Sequence, residues 1–100
     1  MKVIVTGAAG MLGSDIVKRL GAAHEVIGVT RDNFDILKEI DIRTFVGREK
    51  PGWVIHCAAF TNVDGCEKEP EKAFQVNAEG ARNVAKACWG AGAGMLYVST

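Results

Sequence analysis

Three glycines, Gly7, Gly10 and Gly13, are the residues of this chain whose spacing most directly implies chemistry. They follow the apolar run Val3-Ile4-Val5 and open a stretch in which Leu12, Ile16, Val17 and Leu20 recur at helical spacing. Such a run reads as a strand buried on both faces. Strand, glycine turn and helix in that order make a corner that accepts phosphate. Gly7 lets the chain turn sharply out of the strand, and Gly10 removes a Cβ from the path of a diphosphate. Gly13 lets the helix lie close to the sheet. The unpaired N–H groups of the first helical turn, at the positive end of the helix dipole, then favour an anion. The other common phosphate loop ends in Gly-Lys-Ser/Thr, whereas here Ser14 and Asp15 follow Gly13. A plain strand-to-helix turn would show the same spacing, so the glycines need elements around them.

Those elements follow in order. The first helix ends near Gly21. Glu25-Val26-Ile27-Gly28-Val29 is a second strand, completing a strand–helix–strand unit within about thirty residues. The end of that strand is where NAD and NADP are told apart: a carboxylate there binds the adenine ribose, while an arginine accommodates a 2′-phosphate. The chain has Thr30-Arg31-Asp32. Thr30 replaces the carboxylate and Arg31 supplies a guanidinium, which favours NADP(H) over NAD(H). Asp32 opposes this, and both charges facing water is the alternative.

Beyond Phe34-Asp35-Ile36, the segment from Leu37 to Lys50 has a partial apolar face in Ile42, Phe45 and Val46, and Pro51-Gly52 halts it. It reads as a helix. Trp53-Val54-Ile55-His56-Cys57-Ala58-Ala59 is a third strand running into small residues that leave room for a cofactor ring or ribose. A polar loop containing Thr61, Asn62 and Asp64 leads to Pro70, a residue tolerated in a first helical turn. Phe74, Asn77, Ala78, Ala81, Val84, Ala85 and Cys88 then trace one helical face, on which Asn77 should be buried and hydrogen-bonded. Met95 to Val98 is a fourth strand.

Four strands alternating with three helices predict an α/β, Rossmann-type doubly wound parallel sheet, in the order 3-2-1-4 with helices on both faces. Thr6–Gly13, Thr30-Arg31, Ala58-Ala59 and Ser99-Thr100 would meet at the carboxyl ends of the strands, where ligands bind in such folds. An exposed fourth strand would favour pairing between copies, so a homodimer or aggregation is expected unless something covers that edge.

Composition narrows the function classes. One hundred residues suit one small domain, and 48% hydrophobic with 24% charged residues is ordinary for a water-soluble protein. Twelve basic and twelve acidic side chains give a formal net charge of zero, which provides no long-range field for nucleic acid or an anionic membrane. The sequence shows neither an apolar run of spanning length nor a signal peptide. Cys57, Cys66 and Cys88 lack a Cys-x-x-Cys pair and read as reduced thiols of a cytoplasmic protein; His24 and His56 are not spaced for a metal, and none is expected. His56 reads as a packed side chain, and Asp15 as a solvated helix charge.

The run Thr6-Gly7-Ala8-Ala9-Gly10-Met11-Leu12-Gly13 resembles the Thr-Gly-x-x-Gly-x-x-Gly motif of extended short-chain dehydrogenase/reductases. Within that superfamily the chain is most similar to the dTDP-4-dehydrorhamnose reductase family. The likeness continues through Asp35-Ile36, Val54-Ile55-His56, Ala58-Ala59-Phe60-Thr61, Val63-Asp64, Glu67, Pro70, Val76-Asn77, Gly80 and Tyr97-Val98-Ser99-Thr100. It implies that Gly7, Gly10 and Gly13 hold the pyrophosphate with backbone N–H groups of Met11 and Leu12. It implies further that Arg31 meets the ribose 2′-phosphate, with Thr30 beside it among the cofactor-binding residues, and that Asp35 and Ile36 flank the adenine. Ala58, Ala59 and Phe60 would line the ribose and nicotinamide path, Asn77 would brace the strand ends, and Thr100 would be the catalytic hydroxyl on the substrate carbonyl. In the family, hydride passes from the nicotinamide to a nucleotide-linked 4-keto-sugar, and a tyrosine in Tyr-x-x-x-Lys supplies the proton. That motif is absent here, since Tyr97 has no lysine four residues on, and Leu37 and Gly52 also depart from the family pattern. The resemblance therefore implies the N-terminal cofactor-binding portion, residues 1–100, of a longer reductase, inactive by itself. A non-catalytic NADP-binding regulatory subunit, or a nucleotide-binding domain of other chemistry, remains as an alternative.

Overall fold

The computed structural model describes residues 1–57 and 70–98. The chain runs β1 (Lys2–Thr6), α1 (Met11–Leu20), β2 (Glu25–Val29), α2 (Glu39–Glu49), β3 (Trp53–His56), α3 (Pro70–Ala91) and β4 (Gly94–Tyr97). All strands pair in parallel, in the order β2-β1-β3-β4. The doubly wound parallel sheet is as expected; the position of the third strand is not. The order 3-2-1-4 would have set it outside β2, but it pairs with β1 in the register Val3↔Trp53 to Thr6↔His56. The physical reason is the hand of the crossovers. α1 and α2 lie on opposite faces of the sheet, and right-handed connections on opposite faces step in opposite directions. The chain moves outward from β1 to β2, then back past β1 to β3. β1 is thus interior, and the reversal lies beside it.

One face of the sheet carries Ile4, Val29 and Val54 and packs against Ile42 and Val46 of α2 and Val84, Ala87 and Cys88 of α3. Each Val, Ile or Leu side chain withdrawn from water in this way contributes roughly 1.5–3 kcal/mol. Val3 and Ile55 alternate with Ile4 and Val54, and with Leu96 and Leu20 of α1 they line a hollow on the opposite face. Glu39 reaches both Arg43 on its own helix (2.8 Å) and Lys86 on α3 (3.7 Å), tying the two helices at the surface. Asp15 is exposed and pairs with Arg19 one turn on, at 2.9 Å.

The buried side of α3 is rotated from the one traced by Phe74 and its alanines. Gly80, Asn83, Val84, Ala87 and Cys88 are buried, whereas Phe74 is 73% exposed and Ala78 and Ala85 face outward. Alanines pack acceptably on either side of a helix, so the larger Val84 and Cys88 and the space needed at Gly80 decide its roll. α2 begins at Glu39, after a turn at Asp35–Lys38, and ends on Lys50 in a left-handed conformation (φ 50°) ahead of Pro51. β3 ends at His56, and Ala58 and Ala59 lie outside the described residues. Among the described residues no helix is long and apolar enough to cross a membrane.

Candidate functional site

The glycine corner is built by contacts within a few residues. Gly7 leaves β1 in the left-handed region at φ 67°, which side chains other than glycine rarely adopt. Ala8 N–H then donates to the Val29 carbonyl at 3.1 Å, tying the turn to the end of β2, and Gly10 N–H donates back to the Gly7 carbonyl at 3.0 Å. A Cβ on Gly13 would run into the Gly7 carbonyl oxygen and stand 2.8 Å from its carbon, so only glycine lets α1 start this close to the turn. The close approach is thus to the turn, not to the sheet as its spacing had implied. Gly10 caps α1 with no side-chain acceptor, and the first turn carries no acidic residue. The opening N–H groups of the helix, those of Met11, Leu12 and Gly13, therefore have no helical partner and no carboxylate competing with an incoming anion.

Opposite this corner the chain leaves β2 through a closed turn. Thr30 N–H donates to Asn33 Oδ1 at 2.8 Å, Asn33 N–H donates to the Thr30 carbonyl at 3.1 Å, and Asp32 N–H donates to Thr30 Oγ1 at 3.2 Å. Arg31 is exposed on this turn and has no ion pair among the described residues. Asp35 Oδ1 accepts the Leu37 N–H at 2.9 Å, so this carboxylate shapes the turn before α2. Phe34 packs on Phe45 of α2 with ring centroids 5.1 Å apart. Ile36 is anchored from α3: Asn83 Nδ2 donates to its carbonyl at 2.9 Å, and a Cβ on Gly80 would lie 2.7 Å from its Cδ1.

Between the corner and this segment lies a cavity of about 670 Å³. Of the expected residues, Gly7, Gly10, Thr30, Arg31, Asp35 and Ile36 line it together. Met11, Leu12 and Gly13 do not; Met11 is 92% exposed, and what these residues offer is their backbone N–H groups. Ala58, Ala59, Phe60 and Thr100 lie outside the described residues. The cavity adds Ala9, Val29, Phe34, Leu37, Cys57 and Val76 to the sequence-derived set. Val29, Phe34 and Ile36 give it an apolar wall, a signal present in the sequence as apolar residues flanking the polar turn. Asn77 lines the cavity and is half-buried rather than buried. The asparagine buried on α3 is Asn83, 5% exposed, which the sequence reading missed.

The floor is made where β1 and β3 end. Thr6 and His56 are both fully buried, and Thr6 Oγ1 and His56 Nδ1 share a hydrogen bond at 2.7 Å. The same oxygen accepts the Cys57 N–H at 3.1 Å. Burial lowers the His56 pKa from 6.5 to about 4, so the ring is neutral near pH 7. Burial also raises the Cys57 thiol, which keeps it protonated and a poor nucleophile.

The whole chain, residues 1–100, matches the family described as RmlD substrate binding domain. The chain belongs to that family. It is 42% identical over 100 residues to the dTDP-4-dehydrorhamnose reductase of Mycolicibacterium smegmatis, covering 99% of this chain and 30% of that protein. It is 43% identical to the enzyme of the same name from Streptomyces griseus, covering 97% of this chain and 32% of the other. The chain thus spans about a third of the length of these relatives. A crystal structure of dTDP-4-dehydrorhamnose reductase from Bacillus anthracis in complex with NADP superposes with a TM-score of 0.89 at 38% identity, over 98% of this chain and 35% of that one. The resemblance drawn from the motif residues holds across the full hundred positions.

Proposed function

We propose that residues 1–100 form the NADP(H)-binding unit of a reductase that transfers hydride to a nucleotide-linked 4-keto-sugar. The observation that carries this is the cavity itself. An uncapped helix start behind a turn that requires glycine at Gly7 and Gly13 stands across from an apolar wall and an arginine with no ion pair among the described residues, which suits a molecule with a diphosphate in its middle, a purine at one end and a further phosphate. Its volume, about 670 Å³, falls in the range of roughly 300–1,000 Å³ usual for ligand pockets. The NADP-bound relative and the reductases of the same family support the choice of ligand and of chemistry.

In this assignment the Met11, Leu12 and Gly13 N–H groups face the diphosphate, and Gly10 keeps the approach clear. Val29, Phe34 and Ile36 receive the adenine, with Asp35 holding the turn that carries them. Arg31, with Thr30 beside it, takes the ribose 2′-phosphate, and its guanidinium gives the preference for NADP(H) over NAD(H). The family resemblance assigns Ala58, Ala59 and Phe60 to the nicotinamide path and Thr100 to the carbonyl oxygen of the sugar; all four are outside the described residues. When bound, the dihydronicotinamide supplies the hydride. The dTDP-sugar is the substrate of the complete protein.

Isothermal titration of the chain with NADPH and with NADH tests the assignment. The expected result is saturable binding of NADPH, with NADH weaker by tenfold or more. Absence of binding by either dinucleotide refutes it.

A further inference from the structure

His56 stands where packing alone would place an aliphatic residue. It is fully buried at the end of β3, in register with Thr6 and on the same side as Val54. Its Nε2 is buried without a hydrogen-bond partner among the described residues. An unsatisfied buried polar atom is costly, so the imidazole is not explained by stability. Its other nitrogen has a definite task. Nδ1 bonds Thr6 Oγ1, the same oxygen receives the Cys57 N–H, and both Thr6 and Cys57 line the cavity. One hydroxyl therefore joins the ends of the two strands between which the cleft opens, and the residue after Thr6 is the left-handed Gly7. Behind the ring, Tyr97 of β4 packs at a centroid distance of 5.2 Å, and the His56 carbonyl accepts the Val98 N–H at 3.0 Å. The imidazole cannot swing away from Thr6 without disturbing β4.

We propose that His56 is a positioning residue for the dinucleotide: through the Thr6 hydroxyl it holds the glycine turn at the distance from Cys57 that the diphosphate requires. This rests on the cavity being the dinucleotide site. The neutral ring touches no ligand atom; it acts through Thr6, as a fixed partner that keeps the hydroxyl aimed at the Cys57 amide.

The test is NADPH titration of the full chain as wild type, His56→Leu, His56→Asn and Thr6→Val, with amide hydrogen exchange at Cys57 read on the ligand-free proteins. Asparagine carries a polar atom directly on Cγ, as Nδ1 is carried, and so can still meet Thr6. Leucine fills the space with no polar atom. Loss of one such hydrogen bond should weaken NADPH binding about 3- to 10-fold in His56→Leu and Thr6→Val, while His56→Asn stays within about twofold of wild type. Cys57 exchange should quicken in the first two and not in the third. Wild-type affinity in His56→Leu or in Thr6→Val, or equal weakening in His56→Leu and His56→Asn, overturns the proposal and leaves the dinucleotide site standing. A wild-type chain that binds neither NADPH nor NADH removes the site first and this role with it.

Discussion

The stability of this chain should fall between pH 7.5 and pH 5 because of one side chain. His56 has a pKa of about 4 in the folded protein, against 6.5 when exposed, and burial is the cause. Between those values the unfolded chain holds a proton that the folded chain refuses. Stability is therefore fully present above pH 6.5 and is lost as the pH falls toward 4. With these two values the loss on moving from pH 7.5 to pH 5 is about 2 kcal/mol. For a chain of this size that corresponds to a drop in Tm of about 8–16 °C. Thermal melts followed by far-UV circular dichroism, on the wild type and on His56→Asn at both pH values, isolate the effect. Groups common to both chains cancel in the difference. The wild type should lose about 2 kcal/mol more than the variant. An equal loss in both would refute the reasoning, because it would mean that the ring takes up its proton in place.

Three other substitutions probe the site. Gly13→Ala puts a Cβ against the Gly7 carbonyl and should push α1 off the turn, abolishing measurable NADPH binding by titration and lowering stability by about 1–3 kcal/mol in urea melts. Arg31→Ala should weaken NADPH by about 10- to 100-fold and leave NADH within about twofold, since only the former carries the extra phosphate; equal effects on both would remove Arg31 from the 2′-phosphate. Asn83→Ala breaks the bond to the Ile36 carbonyl and leaves that oxygen with one partner fewer, at a cost of about 1–3 kcal/mol by chemical denaturation. It should also weaken dinucleotide binding severalfold, although Asn83 does not line the cavity.

What the sequence revealed and what it hid divide along a physical line. Gly7 is legible because its constraint is local, a left-handed turn that glycine adopts without strain, and the need for glycine at Gly13 is legible too, although the surface it approaches is the turn at Gly7 and not the sheet. Thr30 and Arg31 were legible for the same reason, as the end of a strand whose length the apolar run sets. The position of β3 was not, because periodicity says that Trp53–His56 is a strand but not which neighbour it takes. That depends on α2 covering the face opposite α1, a property of the whole sheet. The burial of Asn83 stayed hidden behind the roll of α3, where alanines on both sides blur the apolar stripe and point to Asn77 instead. The clue was Gly80 with Asn83, Val84, Ala87 and Cys88, a row at helical spacing that becomes visible once small residues are weighed by the room they leave rather than by hydropathy. The bond between Thr6 and His56 spans fifty positions and no pattern in the chain announces it.

The cleft also has an unequal history of assembly. Its glycine corner closes over a handful of neighbouring residues, whereas the wall at Ile36 waits for Asn83, forty-seven positions further along the chain. Short-range closure is entropically cheap and fast, and long-range closure is neither. The glycine corner should therefore mature early during folding, and the wall at Ile36 should mature last. A ligand lying across both acts as a late staple, raising the midpoint of unfolding by mass action.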